Sequence, residues 1–461
     1  MNALFIISTL GVLAMLAEIL KFQKLLPLLT LVGLAVAVVA NFFEWNNPVF
    51  IPAFNNMLVF NHYAIAFSSS LCIITFLWFL LSQKYLESKT AVTDHYALIL
   101  FSLAGGMCMT SFGNLTMLFL GIEILSIPLY ILAGSRKTDL ASNEAAFKYF
   151  LMGAFASGFF LFGITLVYGA TGSFNLIAIN QFIAQHQGSL PAFFYAGVVL
   201  IIAGLGFKVS AVPFHFWTPD VYQGSPNMIT AFMSTIVKTS AFAAFFHLFS
   251  SCFISIQSSW THIIWALAAI TVLLGNITAV YQLSFKRMLA YSSISHAGYL
   301  LLAVLAINNF SAGAIFLYTL AYSVGSIAAF TVLQCVYESS GTDLIESFNG
   351  LSKRNPLLAF ALTVSMLSLA GIPPTGGFFA KYFIFNTAIV NGNLWLVIIA
   401  VIASLIGVYY YFKVIIAAYF KPASSESTIT ISLQHKILLI LTIAITLILG
   451  LFPGYILNLF S

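Results

Sequence analysis

Charged residues are scarce in this chain. Asp, Glu, Lys and Arg together make up 6% of its 461 residues, whereas hydrophobic residues make up 61%, and the mean hydropathy is +1.03. Soluble globular domains carry about 25% charged residues, so this composition excludes that class. It predicts an all-α protein that crosses the membrane many times.

Cysteine clusters and nucleotide-binding motifs are lacking as well. The sequence contains no CxxC pair, no P-loop and no GxGxxG turn. We therefore expect no disulfide framework, no metal or iron–sulfur site, and no binding of ATP or NADH by this chain itself. The four cysteines stand singly in apolar segments and are predicted to be small core residues: Cys72, Cys108, Cys252 and Cys335.

Long apolar segments dominate what is present. A helix needs about 20 apolar residues to cross a bilayer, and a window of that length finds fourteen candidate spans. The first has no basic region before it and is interpreted as a retained span rather than a signal peptide. The spans lie near 3–20, 25–43, 57–81, 95–112, 115–134, 144–169, 191–213, 227–250, 261–283, 287–307, 311–337, 356–390, 394–420 and 435–459.

Basic residues predict the orientation. Twelve Lys and Arg residues lie outside the spans, and all of them fall in connections that follow odd-numbered spans. The positive-inside rule places those connections in the cytoplasm and both termini on the outer side. The net charge of +5 is thus a membrane signal, and no nucleic-acid partner is expected. The twelve are Lys21, Lys24, Lys84, Lys89, Arg136, Lys137, Lys286, Arg287, Lys353, Arg354, Lys421 and Lys436.

Five further lysines lie inside the apolar segments. A lysine at the centre of a spanning helix costs about 2.5–3.5 kcal/mol, so stability does not account for them. Burial favours loss of the ammonium proton, and a row of groups that can hold or release a proton is what a proton path requires. The five are Lys148, Lys208, Lys238, Lys381 and Lys413.

The ionisable residues recur at a nearly constant spacing. Glu123 and His296 are 173 residues apart, Lys208 and Lys381 are also 173 apart, and Lys238 lies 175 residues before Lys413. This predicts two five-span repeats, and because five is odd, the second is inverted in the membrane relative to the first. The predicted units are residues 1–94 (spans 1–3), 95–250 (first repeat), 261–420 (second repeat) and 421–461 (span 14).

Each repeat also contains helix-breaking residues beside a lysine. Gly204, Gly206 and Pro213 surround Lys208 in span 7, and the run GIPPTGG precedes Lys381 in span 12. A broken membrane helix leaves backbone groups unpaired, which is tolerated in the protein interior or against water. We therefore expect a hydrated cavity at each break.

Three motifs resemble a known family. The runs FKVSAVPFHFWTPDVYQGSP (207–226), FKRMLAYSSISHAGY (285–299) and LAGIPPTGGFFAKYF (369–383) closely resemble the antiporter-like membrane subunits of respiratory complex I, and its N-type members above all. The resemblance implies a proton-translocating subunit of an NADH:quinone oxidoreductase in the bacterial inner membrane. It also implies that NADH, FMN, iron–sulfur clusters and quinone belong to other subunits. The implied partners are M-like and K-like neighbours and the lateral helix of an L-like subunit.

The resemblance further implies roles for six residues. Glu123, Lys208, Lys238 and Lys381 match the family's proton-channel positions, and Lys148 matches a further lysine in span 6. His296 suits a relay between the two halves because imidazole titrates near neutral pH. Other functions stay open, namely an Mrp-type cation/proton antiporter, a membrane-bound hydrogenase subunit, and a structural scaffold whose buried charges specify helix packing.

Some of these residues also have a simpler interpretation. Glu144 and Lys148 stand at i and i+4 near a helix start, which suits a surface ion pair as well as a channel role. Lys413 lies near the end of span 13 and is expected to extend its ammonium to the membrane surface. A place for His215 and His62 in the proton path is left open.

Overall fold

The computed structural model describes residues 1–46, 54–87, 92–423 and 428–460. Lys89, counted among the basic connections above, lies outside the described residues. The described chain is all-α, with three isolated backbone bridges and no strand in those ranges. This confirms the predicted fold class.

Helices account for nearly every predicted span. The first part of the chain forms α1 (Asn2–Leu16), α2 (Leu26–Asn46), α3 (His62–Glu87), α4 (Val92–Ser111), α5 (Leu115–Ala133), α6 (Leu140–Thr171), α7 (Leu176–Gln185), α8 (Ala192–Val209), α9 (Trp217–Gly224), α10 (Asn227–Phe232) and α11 (Lys238–Ser251). The second part forms α12 (Gln257–Val280), α13 (Phe285–Leu305), α14 (Ser311–Ser340), α15 (Leu351–Arg354), α16 (Pro356–Ala370), α17 (Gly376–Val390), α18 (Leu394–Phe420), α19 (Leu433–Leu451) and α20 (Pro453–Leu457).

Twelve helical segments in the described ranges are long and apolar enough to cross a membrane. The two remaining predicted spans are α1, which has 15 residues, and the pair α16 and α17, which is divided by a break. The short helix α7 was not predicted from the sequence.

The interior of the bundle is formed by the middle helices of both halves. The most apolar 18-residue window of segment Asn227–Ser251 is entirely buried, and those of α13 and α14 are 94% buried. The corresponding windows of α2 and α6 are only 28% buried, and these helices expose large apolar side chains such as Phe42 and Phe155. Polar groups on α11, α13 and α14 are therefore shielded from lipid.

Helix ends in the two halves match one another. Asn114 caps α5 by accepting from the Met117 amide, and Ser284, 170 residues later, caps α13 in the same way. The helices α6 and α14 end at Gly172 and Gly341, whose φ angles of 68° and 72° are left-handed and suit glycine. Corresponding helix ends are thus 169–170 residues apart, whereas the ionisable pairs are 173–175 residues apart. The second member of each pair therefore lies about one helical turn or more beyond the position equivalent to the first. The predicted limits of the repeats stay a prediction.

Both predicted helix breaks are present, but the first lies after Lys208 rather than at Gly204 and Gly206. Helix α8 continues through Gly204 and Gly206 and ends at Val209, just after Lys208. The glycines serve close packing instead, because a Cβ on Gly206 would lie 2.9 Å from the Phe214 ring. In the second half the break precedes the lysine, since α17 begins at Gly376, five residues before Lys381.

Candidate functional site

Four of the six predicted site residues lie in the protein interior. Lys208, Lys238, His296 and Lys381 have exposed fractions of 4%, 3%, 4% and 7%. Glu123 and Lys148 are both half-buried, and the side chain of Lys148 is 37% exposed. The structure therefore separates an inner row from Lys148 near the protein surface.

Lys208 lies at the last turn of α8 and contacts α5. Its Nζ donates to Ser126 Oγ at 2.6 Å, and Ser126 donates in turn to the Ile122 carbonyl. The ammonium also lies 5.9 Å from the centroid of the Tyr149 ring. A hydroxyl and an aromatic face thus surround this charge.

Glu123 is close to Lys208 but does not pair with it directly. Its Oε1 accepts from Ser157 Oγ at 2.5 Å, and no ion pair within 4.0 Å joins these two described residues. A cavity of about 10 Å³ is lined by Lys208, Ser126 and Ser157, which is about the space that the centre of one water molecule needs. The sequence predicted the carboxylate beside this lysine, but neither of the two serines.

Lys238 begins α11 directly after a π-helical turn, Met233–Val237. Such turns are rare and occur often at functional sites. The Nζ of Lys238 donates to the Ser293 carbonyl at 2.5 Å. Because Ser293 lies one turn before His296 on α13, this bond connects the first half of the chain to the histidine.

His296 lies between two tyrosine hydroxyls. Its Nδ1 is 2.7 Å from Tyr318 Oη and its Nε2 is 3.1 Å from Tyr411 Oη, and the latter hydroxyl also shares a short hydrogen bond with Ser292. A neutral imidazole donates from one nitrogen and accepts at the other, and a hydroxyl can do either. The arrangement can therefore pass a proton through the ring in either direction.

Lys381 is held at the break of the second half. Its Nζ donates to the Ala370 carbonyl at 2.7 Å and to Ser404 Oγ at 2.9 Å. Ala370 is the last residue of α16, so the ammonium satisfies a carbonyl that the broken helix leaves free and meets the negative end of the helix dipole. The charge also lies 4.9 Å from the centroid of the Tyr299 ring.

Buried tyrosines lie between His296 and Lys381. The Tyr299 ring centroid is 5.9 Å from that of His296 and 4.9 Å from Lys381 Nζ. The Tyr410 hydroxyl donates to Asn276 Oδ1 at 3.1 Å, and Asn276 Nδ2 donates to Tyr299 Oη at 3.0 Å. These tyrosines were not predicted as site residues. The available signal was their position, because membrane tyrosines concentrate at span ends and these lie in mid-span.

The region between Lys208 and Lys238 is less continuous. The Tyr149 ring stacks on Trp217 at 4.7 Å, and Tyr222 contacts the same indole edge-on at 6.1 Å. The hydroxyls of Tyr149, Tyr222 and Ser293 are buried and have no hydrogen-bond partner within the described chain. Buried hydroxyls are normally paired, so this stretch has the donors and acceptors that internal water would bridge.

Lys148 belongs to a separate cluster of ion pairs. Its Nζ is 2.6 Å from a Glu144 oxygen, which confirms the predicted i,i+4 pair, and 2.8 Å from Asp220 Oδ2. The other oxygen of Asp220 pairs with Arg287 Nη1 at 3.0 Å. A polar cavity of about 280 Å³ is lined by Glu144, Lys148, Asp220 and Gln223. Asp220 and Arg287 were not predicted as site residues.

The remaining candidates have ordinary surroundings. Lys413 Nζ donates to the Gln282 carbonyl at 3.3 Å, near a helix end, as expected of a lysine that reaches the membrane surface. His62 is exposed and packs its ring against Trp45 at 4.5 Å. His215 is buried within the irregular segment after α8. Across the described ranges, no group of three or more His, Cys, Asp or Glu side chains could hold a metal ion.

A family model described as "NADH:quinone oxidoreductase/Mrp antiporter, TM" matches residues 113–407, which include all six predicted site residues. The chain belongs to this family. The NADH-quinone oxidoreductase subunit N of Cytophaga hutchinsonii is 46% identical to it over 99% of both chains, and that of Flavobacterium johnsoniae is 44% identical over the whole of both.

Solved structures share the fold. A chain of respiratory complex I from Thermus thermophilus is 32% identical, with a TM-score of 0.84 over 99% of this chain and 98% of that one. A chain of an archaeal membrane-bound sulfane sulfur reductase gives a TM-score of 0.88 at 27% identity over 100% and 96%. A chain of the Mrp complex from Dietzia gives 0.87 at 20% identity over 99% and 95%, which shows the likeness of fold alone.

Proposed function

We propose that this chain is the N-type, proton-translocating membrane subunit of a complex I-type NADH:quinone oxidoreductase. The observation that carries this proposal is the inner row itself, in which Lys208, Lys238, His296 and Lys381 are buried in one bundle and linked to hydroxyl and carbonyl groups. Buried ionisable groups in a membrane are costly and mark ion or proton pathways. The subunit N relatives support the type of complex.

Protons would move along this row by changes in local charge. Lys208 lines a small cavity together with Ser157, the serine that donates to Glu123. A proton that arrives on either Glu123 or Lys208 would therefore alter the energy of charge on the other. From Lys208 the route would continue to Lys238 and then, through Ser293, to His296. Buried tyrosines would extend it from the histidine to Lys381. Lys148 would serve as an outer member on the side predicted to be cytoplasmic.

The remaining parts of the enzyme would lie in other subunits. NADH, FMN, the iron–sulfur clusters and quinone would be bound there, in keeping with the lack of a nucleotide motif in this sequence. The expected neighbours are M-like and K-like subunits and the lateral helix of an L-like subunit. The chain would lie in the bacterial inner membrane with both termini on the outer side, as the positions of the basic residues indicate.

Replacement of Lys208 in the assembled complex tests the proposal. The complex with Lys208→Ala should still assemble and oxidise some NADH, but it should pump far fewer protons per electron. Lys413→Ala is the matched control, because that lysine reaches a helix end instead of the inner row. Normal pumping by Lys208→Ala would contradict the proposed path, and loss of assembly would favour the scaffold function.

Lys381 tests the second half of the path. Arginine keeps the charge but does not release its proton in proteins, so Lys381→Arg should block transfer. Lys381→Glu and Lys381→His place a titratable group at the same position and should retain part of it. Wild-type ratios of protons to electrons in all three variants would place Lys381 outside the path.

An Mrp-type cation/proton antiporter is the second candidate. The family description names both activities, and the Mrp complex shares the fold. The chain would be reconstituted alone in vesicles with a pH gradient. Transport of Na⁺ or K⁺ against that gradient would favour the antiporter, and its absence would favour a subunit that works within a larger complex.

A further inference from the structure

The short helix α9 lies between the break after Lys208 and the next span. It has eight residues, too few to be stable on its own. Its position therefore depends on its contacts with other helices. Two adjacent basic residues at the start of α13, in the other half of the chain, provide several of them.

Lys286 holds the carboxyl end of α9. Its Nζ donates to the Gln223 carbonyl at 3.3 Å and, over a shorter distance, to the Ser225 carbonyl. A cation at this end of a helix pairs with free carbonyls and with the negative end of the dipole. Lys286 is 3% exposed, and no described carboxylate lies within 4.0 Å of its ammonium. A lysine that only marked a cytoplasmic connection would lie in water.

Arg287 holds the side of the same helix. Its Nη1 donates to Asp220 Oδ1 at 3.0 Å and to Gln223 Oε1 at 2.8 Å. The second Asp220 oxygen accepts from Lys148 on α6 at 2.8 Å. Asp220 thus joins one helix from each half of the chain.

The opposite end of α9 reaches the surroundings of Lys208. Trp217, its first residue, donates its Nε1 to the Phe207 carbonyl at 3.1 Å, next to Lys208 in the chain. The same indole stacks on Tyr149, whose ring lies near the Lys208 ammonium. Beyond Arg287, helix α13 continues to Ser293 and His296. The segment α9 therefore lies between the first lysine site and the helix that carries the histidine.

We propose that Lys286 and Arg287 form a clamp that fixes α9 and thereby sets the position of Trp217 and Tyr149 around Lys208. They are positioning residues for proton transfer, and they couple the two halves of the chain mechanically. This inference rests on the proposed function. It assigns a structural contact to two residues that the sequence alone presents as orientation signals.

The experiment compares Lys286→Met with Lys353→Met in the assembled complex. Both lysines lie in connections predicted to be cytoplasmic, but Lys353 is exposed, so a purely topological role predicts the same result for both. We expect Lys286→Met to assemble and to lower coupled pumping about 2–30-fold, the range of variants along coupled networks. Lys286→Arg should recover part of it, and Lys353→Met should pump normally.

A double variant separates the clamp from the proton path. If Lys286 acts through Lys208, then Lys286→Met combined with Lys208→Ala should lose no more pumping than Lys208→Ala alone. Additive losses, or equal pumping in Lys286→Met and Lys353→Met, would overturn the clamp. If Lys286→Met fails to assemble, Arg287→Gln decides by the same criteria. Normal pumping by Lys208→Ala would instead contradict the proposed function itself.

Discussion

The hydroxyl of Ser126 offers a precise test of the Lys208 site. Lys208 Nζ donates to it at 2.6 Å, and no ion pair with a described carboxylate supports that ammonium within 4.0 Å. A hydrogen bond that involves a charged group contributes about 1.5–3 kcal/mol. Ser126→Ala removes this bond beside a cavity that has room for about one water. If each cycle requires the charged ammonium, coupled turnover should fall about ten- to a hundredfold.

Ser102→Ala is the matched control for this experiment. Ser102 on α4 is equally buried and donates to the carbonyl of Leu125, the residue before Ser126 on α5, at 2.8 Å. It does not bond to Lys208. Both variants would be assembled into the complex in inverted membrane vesicles, where NADH oxidation and proton uptake are recorded together. Ser126→Ala should lower the ratio of protons to electrons, and Ser102→Ala should not. Identical ratios in the two variants would refute the role assigned to the Ser126 hydroxyl.

Three further outcomes are expected. Gly377→Ala should prevent assembly, because its Cβ would overlap a backbone carbonyl of α16 and overpacking costs about 1–3 kcal/mol or more. Gly158→Ala is the control, because a Cβ there meets no atom within 4 Å, and it should have no effect on complex yield. In intact cells, a cysteine at Ser189 should react with an impermeant thiol reagent and one at Thr342 should be protected, whereas the reverse labelling would invert the topology. Tyr411→Phe removes a hydroxyl that His296 contacts and should slow pumping while complex yield stays normal, and unchanged pumping would remove Tyr411 from the path.

The spacing between the ionisable residues differs from the spacing between the helix ends. The spacing of 173–175 residues between ionisable pairs led to two related halves, and the helix caps of those halves do correspond, at 169–170 residues. The charges themselves are not at equivalent positions. Lys208 precedes its break, whereas Lys381 follows its own. The helix ends of the two halves correspond because the halves share a fold. The position of each lysine along its helix depends instead on the groups that it contacts.

The sequence alone determined the spans, the presence of a helix break in each half and the presence of buried lysines. Hydropathy and Gly–Pro clusters act locally, so each segment carries its own evidence. Only the tertiary structure decided the partners of those lysines. Ser126 lies 82 residues from Lys208 in the chain, and Tyr411 lies 115 residues from His296. Such contacts depend on how each helix is rotated about its axis, which is set by packing against its neighbours. For the same reason, Lys286 and Arg287 could be identified as basic residues in a connection, but not as the residues that hold α9.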